Sequence, residues 1–181
     1  MAITPGDILK FWFEECEQKQ WWVKDPDFDA AVRDRFGGLV EQAAAGKLDH
    51  WAESAEGARA LIILLDQFTR NIYRGSAQAF EADEKARTIV RSAIARGFDA
   101  GLNNHEKNFM YLPLEHSEEL GDQEECCRLV GAIGSEGYLK FAQSHKAIIK
   151  RFGRFPHRNA TLGRANTPEE EEYLKDPKAG F

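Results

Sequence analysis

Thr4-Pro5, Asp25-Pro26 and Thr167-Pro168 each set a short polar residue directly before a proline. Such a side chain accepts hydrogen bonds from the free N–H groups of a helix's first turn. Proline has no N–H to lose and its φ is already helical, so it fits the first helical position. Glu170 completes a capping box at the third site. Ser54 offers a further cap, before the run Ala60-Leu61-Ile62-Ile63-Leu64-Leu65, which is apolar on every side and therefore belongs to a helix surrounded by others. No segment alternates in the manner of a strand, and every strong boundary is a helix cap. The fold class is all-α.

Taken in order, the first helix presents Ile8, Leu9, Trp12, Phe13 and Cys16 on one face. Trp21 and Trp22 lie in the connection. Phe28, Val32, Phe36, Leu39, Val40 and Ala43 carry a second helix to Gly46, with Gly37 and Gly38 as a weak point. The central helix runs from Ser54 to about Arg70 and ends in the polar group Asp66, Gln67, Arg70 and Asn71. Ser76 is expected to cap a helix ending at Gly97, and Asn103 or Asn104 to cap the next, which Pro113 bends or breaks. Asp122 is expected to cap the following helix, which stops near Gly134. Tyr138 to Phe152 forms another, and Thr167 starts a short last helix to about Leu174. A tail begins at about residue 175, with Phe181 able to dock. Seven or eight helices in short connections form antiparallel helical hairpins. At 181 residues and 43% hydrophobic, the expectation is a single domain over 1–181.

The formal charge of −6 and pI near 5.4 argue against nucleic-acid and anionic-membrane partners. The longest strongly apolar run is too short to span a bilayer, and the N-terminus has no export pattern. Cys16, Cys126 and Cys127 make neither a disulfide framework nor a metal motif and read as reduced thiols of a cytoplasmic protein.

Against this acidic background His145 to Arg164, HKAIIKRFGRFPHRNATLGR, carries six Lys or Arg and no acidic residue. Ala142, His145, Ile148, Ile149 and Phe152 have helical spacing. Gly153 then closes the helix in a left-handed conformation, and Phe155-Pro156 forbids continuation. Arg154, His157, Arg158, Asn159 and Arg164 therefore sit on irregular, donor-rich backbone, which suits an anion site and equally a clamp over buried carboxylates.

Three stretches, LLDQFTRNIYRGSAQAF (64–80), LPLEHSEELGDQ (112–123) and the basic run followed by TPEEEEYL (145–174), resemble in one order the bacterial family catalogued as domain of unknown function 924. FWFEE and WW-x-KDPDFDA near the N-terminus are similar to its opening. The resemblance implies an all-helical, tetratricopeptide-like, right-handed array in cytoplasmic bacterial proteins, with no established activity and no cofactor. It gives its motif residues no known role. No strict tetratricopeptide repeat is readable in the sequence itself.

Planar guanidinium groups bind carboxylate or phosphate through paired hydrogen bonds, and a histidine titrates near neutrality. Arg70, Asn71, Arg74, Arg154, His157, Arg158, Asn159 and Arg164 are thus expected to bind a small anionic molecule in one polar pocket. Asp66, Gln67, His116, Glu118 and Asp122 are the pairing residues. The competing reading is that the same arginines pair structurally with Asp66, Glu118 and Asp122. A metal site from His116, Glu118, Asp122, Asp66 and His157 lacks any helical ligand pair such as H-E-x-x-H, so no metal is assigned. His116, Ser117 and Glu118 diverge by about 100° per residue on a helix and make no triad. A second function class is a scaffold for a peptide or protein partner, for which Trp12, Trp21, Trp22 and Trp51 are the candidate exposed aromatics. The acidic run Glu169 to Glu172 reads as a solvated helix start. No motif specifies a reaction.

Overall fold

A computed structural model describes residues 3–177 and 179–180; it is all-α, and no strand occurs among the described residues. The docking expected of Phe181 lies outside them. The α-helices are α1 (Pro5–Lys10), α2 (Pro26–Ala44), α3 (Ala55–Ile62), α4 (Thr69–Ile72), α5 (Asp83–Ala95), α6 (Asn104–Glu115), α7 (Leu120–Ile133), α8 (Glu136–Phe152) and α9 (Pro168–Tyr173). The caps fall where the polar-proline pairs place them. Thr4 and Thr167 form capping boxes with Asp7 and Glu170, Asp25 accepts from Asp27 and Phe28, and Ser54 accepts from Gly57. Asn103 caps α6, taking the Glu106 N–H at 3.0 Å. Pro113 sits inside α6 without ending it, because only two residues of helix remain beyond it.

The chain forms two compact units, Met1–Arg74 with Gln78–Pro113 and Gly75–Ala77 with Leu114–Phe181. The first is built around a rod in which α3 passes through a π-helical turn (Ile63–Phe68) into α4, with every residue from 60 to 69 buried. α1, α2 and α5 pack against this rod. α1 likewise runs on into a π-helical turn (Phe11–Glu15), where the Cys16 N–H reaches back to the Phe11 carbonyl at 3.0 Å. A π turn holds an extra residue and so shifts the side chains of that turn around the helix axis. Phe11, which the α-helical period leaves off the apolar stripe, is buried against Phe36 with ring centroids 4.9 Å apart. Trp12 is core, packed edge-on to Phe109, whereas Trp22 is exposed.

The expected cap at Ser76 is corrected: residues Ala77–Ala79 make a 3-10 turn, and α5 begins at Asp83. The start is set by tertiary pairing, since both Asp83 oxygens are taken by Arg70. In the second unit α7 and α8 pack as a hairpin across Gly134, a left-handed residue at φ 78. The expected cap at Asp122 is corrected too. Glu119 is the N-cap, and Asp122 lies inside the first turn, where its carboxylate takes the Ser117 hydroxyl at 2.7 Å. Gly153 closes α8 at φ 70, and Pro156–Arg158 form one 3-10 turn. No helix among the described residues is long and apolar enough to cross a membrane.

Candidate functional site

The π turn and α4 carry Asp66, Gln67, Arg70, Asn71 and, just beyond, Arg74, all in the first unit. Asp66 is fully buried. Arg70 lies 3.0 Å from its Oδ1 and donates two bonds of 3.0 Å to the Asp83 carboxylate, while Gln67 Nε2 donates to Asp66 Oδ2 at 2.6 Å. Burial works against the Arg70 charge, but Asp66 and Asp83 outweigh it and hold the guanidinium more firmly protonated than in water. Asn71 Nδ2 (2.7 Å) and Arg74 (2.6 and 2.8 Å) converge on Asp29 of α2. Burial raises the Asp29 pKa, and the Arg74 and Asn71 bonds more than reverse it. The two groups bracket α4 to α5 and to α2.

In the second unit two carboxylates organise the C-terminal segment. Arg164 grips Glu118 with both terminal nitrogens at 2.7 and 2.9 Å, and the Phe155 N–H adds a bond of 2.8 Å. Against burial, these bonds lower the Glu118 pKa. Arg154 donates to both Glu170 oxygens at 2.6 and 2.7 Å, and Thr167 N–H and Asn159 Nδ2 complete the shell at 2.7 and 3.3 Å. The Arg154 bond is the chief cause that holds Glu170 down to about 2. The reading of the whole acidic run as solvated is therefore corrected at Glu170, which is buried, since a capping box turns its carboxylate inward along the chain, toward Arg154.

Three other groups able to carry positive charge are arranged around one ring, with a fourth beside one of them. The Phe155 ring has the Arg158 guanidinium over its face, 4.4 Å from the centroid, with the His157 and His145 rings 5.5 and 5.7 Å away. His116 lies 6.2 Å beyond His145. Arg158, His145 and Phe155 are buried and His157 is half-buried. His145 Nδ1 is 2.9 Å from the Phe141 carbonyl, which can only accept, so Nδ1 carries the proton and Nε2 is the basic nitrogen. Glu115 Oε1 lies 3.2 Å from the same Nδ1. Burial first, then repulsion from His116, Arg158 and His157, push the His145 pKa down to about 3. Burial and Arg158 push His157 down to about 4, against the pull of Glu118. Both rings are neutral near pH 7, and an anion placed beside them would favour their charged forms.

The site residues expected from sequence thus fall into two sets, each assembled within its own unit: Asp66, Gln67, Arg70, Asn71 and Arg74 in the first, and His116, Glu118, Asp122, Arg154, His157, Arg158, Asn159 and Arg164 in the second. Sequence reasoning missed Asp29, Asp83, Glu115 and the hub role of Phe155. The Phe-Pro pair at 155–156, rigid between two arginines, was the one available signal for Phe155. Among the described residues, no cluster of three His, Cys, Asp or Glu is arranged to hold a metal ion.

The family described as "Bacterial protein of unknown function (DUF924)" matches residues 8–178. The solved structure of a protein of unknown function from Agrobacterium tumefaciens, ATU0120, is 41% identical and superposes with a TM-score of 0.91 over 95% of this chain and 97% of that one. A search of curated proteins returns no match.

Proposed function

We propose that this chain, which belongs to the DUF924 family of bacterial proteins of unknown function, binds a small anion of phosphate or carboxylate type at the group of His145, His157 and Arg158 around Phe155, with His116 beside His145. The observation that carries the reading is geometric: the Arg158 guanidinium lies 4.4 Å over the Phe155 ring, the His157 and His145 rings stand 5.5 and 5.7 Å from it, and burial lowers the pKa of both histidines. Such rings take up protons when a negative charge arrives, so binding is coupled to proton uptake. Arg154 and Arg164 hold the segment in place through Glu170 and Glu118, while Arg158 faces the aromatic hub. The same reading keeps one cytoplasmic domain with its hairpins in a tetratricopeptide-like right-handed array, which the α7–α8 hairpin supports. Thermal denaturation in inorganic phosphate, sulfate and citrate tests it. A ligand selective for the folded state raises the melting temperature, by about 2.7 kcal/mol of stability at 100 times its Kd. The rise should appear in the wild type and vanish in Arg158→Ala; no rise with any of the three anions sinks the proposal.

A second reading, a scaffold for a peptide partner, rests on Trp22 and Val23, which are 54% and 59% exposed in the connection between α1 and α2.

A further inference from the structure

The backbone beyond α9 returns toward the histidine ring. α9 is pinned at its start by the Glu170–Arg154 pair and at its end by Tyr173, whose ring lies 5.0 Å from that of Phe152. Lys175, Asp176 and Pro177 are exposed. The Ala179 N–H then bonds the Asp176 carbonyl at 2.9 Å, turning the chain, and the Gly180 backbone donates to the Tyr173 phenol oxygen. Gly180 has φ 103, and a Cβ built on it would stand 2.7 Å from both Cβ and Cγ of His157 and 3.0 Å from Nδ1. Only glycine fits there, for backbone conformation and for space. His157 Nδ1 is buried beneath this contact.

We propose that the described residues after Tyr173, 174–177 and 179–180, form a strap in which Gly180 closes over the His157 face of the histidine ring and governs entry of the anion to it. This rests on the anion reading for its purpose, though not for its geometry. The strap touches its target at one end and is exposed in its middle, the arrangement of a locally opening element. An incoming anion must displace Gly180 to reach His157 Nδ1, and Tyr173 supplies the hinge to which Gly180 returns.

Two full-length variants test this. Gly180→Val adds a side chain that strikes the imidazole, and Tyr173→Phe removes the hydroxyl that holds Gly180. The readout is modification of His157 by diethylpyrocarbonate, followed by peptide mass spectrometry, with exposed His50 as the internal reference. His157 should react on the order of tenfold faster in Gly180→Val, the factor for about 1.4 kcal/mol of closure, and by a smaller factor in Tyr173→Phe, with His50 unchanged. Phosphate should bind the Gly180→Val protein more tightly than the wild type. Equal His157 rates in both variants and wild type overturn the strap. An uncovered His157 with unchanged phosphate affinity overturns its control of the site. An uncovered His157 in a protein that binds phosphate in neither form leaves the strap standing and removes the anion reading.

Discussion

Arg70 shows how much one side chain carries. Its guanidinium answers two carboxylates, fully buried Asp66 and nearly buried Asp83, so its loss removes from a low-dielectric interior the positive charge that both of them face. Breaking a buried pair in this way costs far more than the pair contributes as a unit. Arg70→Ala should lower stability by about 3 kcal/mol in urea denaturation; a loss below about 1 kcal/mol would mean that water reaches these carboxylates. The pairing of Arg70 with Asp66 was legible from their spacing of four. Asp83 was not, because nothing in a single sequence says which of thirty acidic residues faces a given arginine thirteen positions away.

At the scale of elements, the helix starts were legible and the turns within helices were not. Caps act over three or four residues, so Thr4, Asp25, Ser54 and Thr167 declare themselves. A π turn is a compromise between the register of one helix and the packing of its neighbours, and neither Phe11–Glu15 nor Ile63–Phe68 shows a local sign. Glycines divide along the same line. Gly57 in the first turn of α3 lies so near the 3-10 turn Asp49–Glu53 that a Cβ would be 2.1 Å from the Trp51 carbonyl oxygen. Gly38 in α2 has nothing within 4 Å of its Cβ position. Gly57→Ala should therefore destabilise by about 2 kcal/mol through overpacking, while Gly38→Ala should stabilise by roughly 0.8 kcal/mol from helix propensity. Urea midpoints compare the two directly, and equal signs would contradict the close approach at Gly57.

For the molecule as a whole, the neutral histidines set the response to acid. His145 and His157 fall from 6.5 to about 3 and about 4 on folding, so the unfolded chain binds their protons first. Their contribution is complete above pH 6.5 and is lost as the pH drops toward about 4 for His157 and about 3 for His145, with a slope of at most about 1.4 kcal/mol per pH unit for each proton. His157 gives less, being half-buried. Asp29, Glu118 and Glu170, whose pKa values are lowered, hold their contribution down to their unfolded range near 4 and lose it below. Melting temperature should thus fall in two stages, and His145→Gln should flatten the first; stability that stays level between pH 7 and 5 would show these rings to be solvated. The sequence alone determined the class of fold, most helix starts, the glycine stops at 134 and 153, and the local charge reversal after His145, because caps, periodicity and proline chemistry all act within one or two helical turns. Only the tertiary structure decided which carboxylate holds which arginine, that Phe155 gathers the histidines, and that Gly180 comes back to His157. Those contacts join residues far apart along the chain, and the free energy that selects them, burial of charge and rings, exists only once the helices have packed.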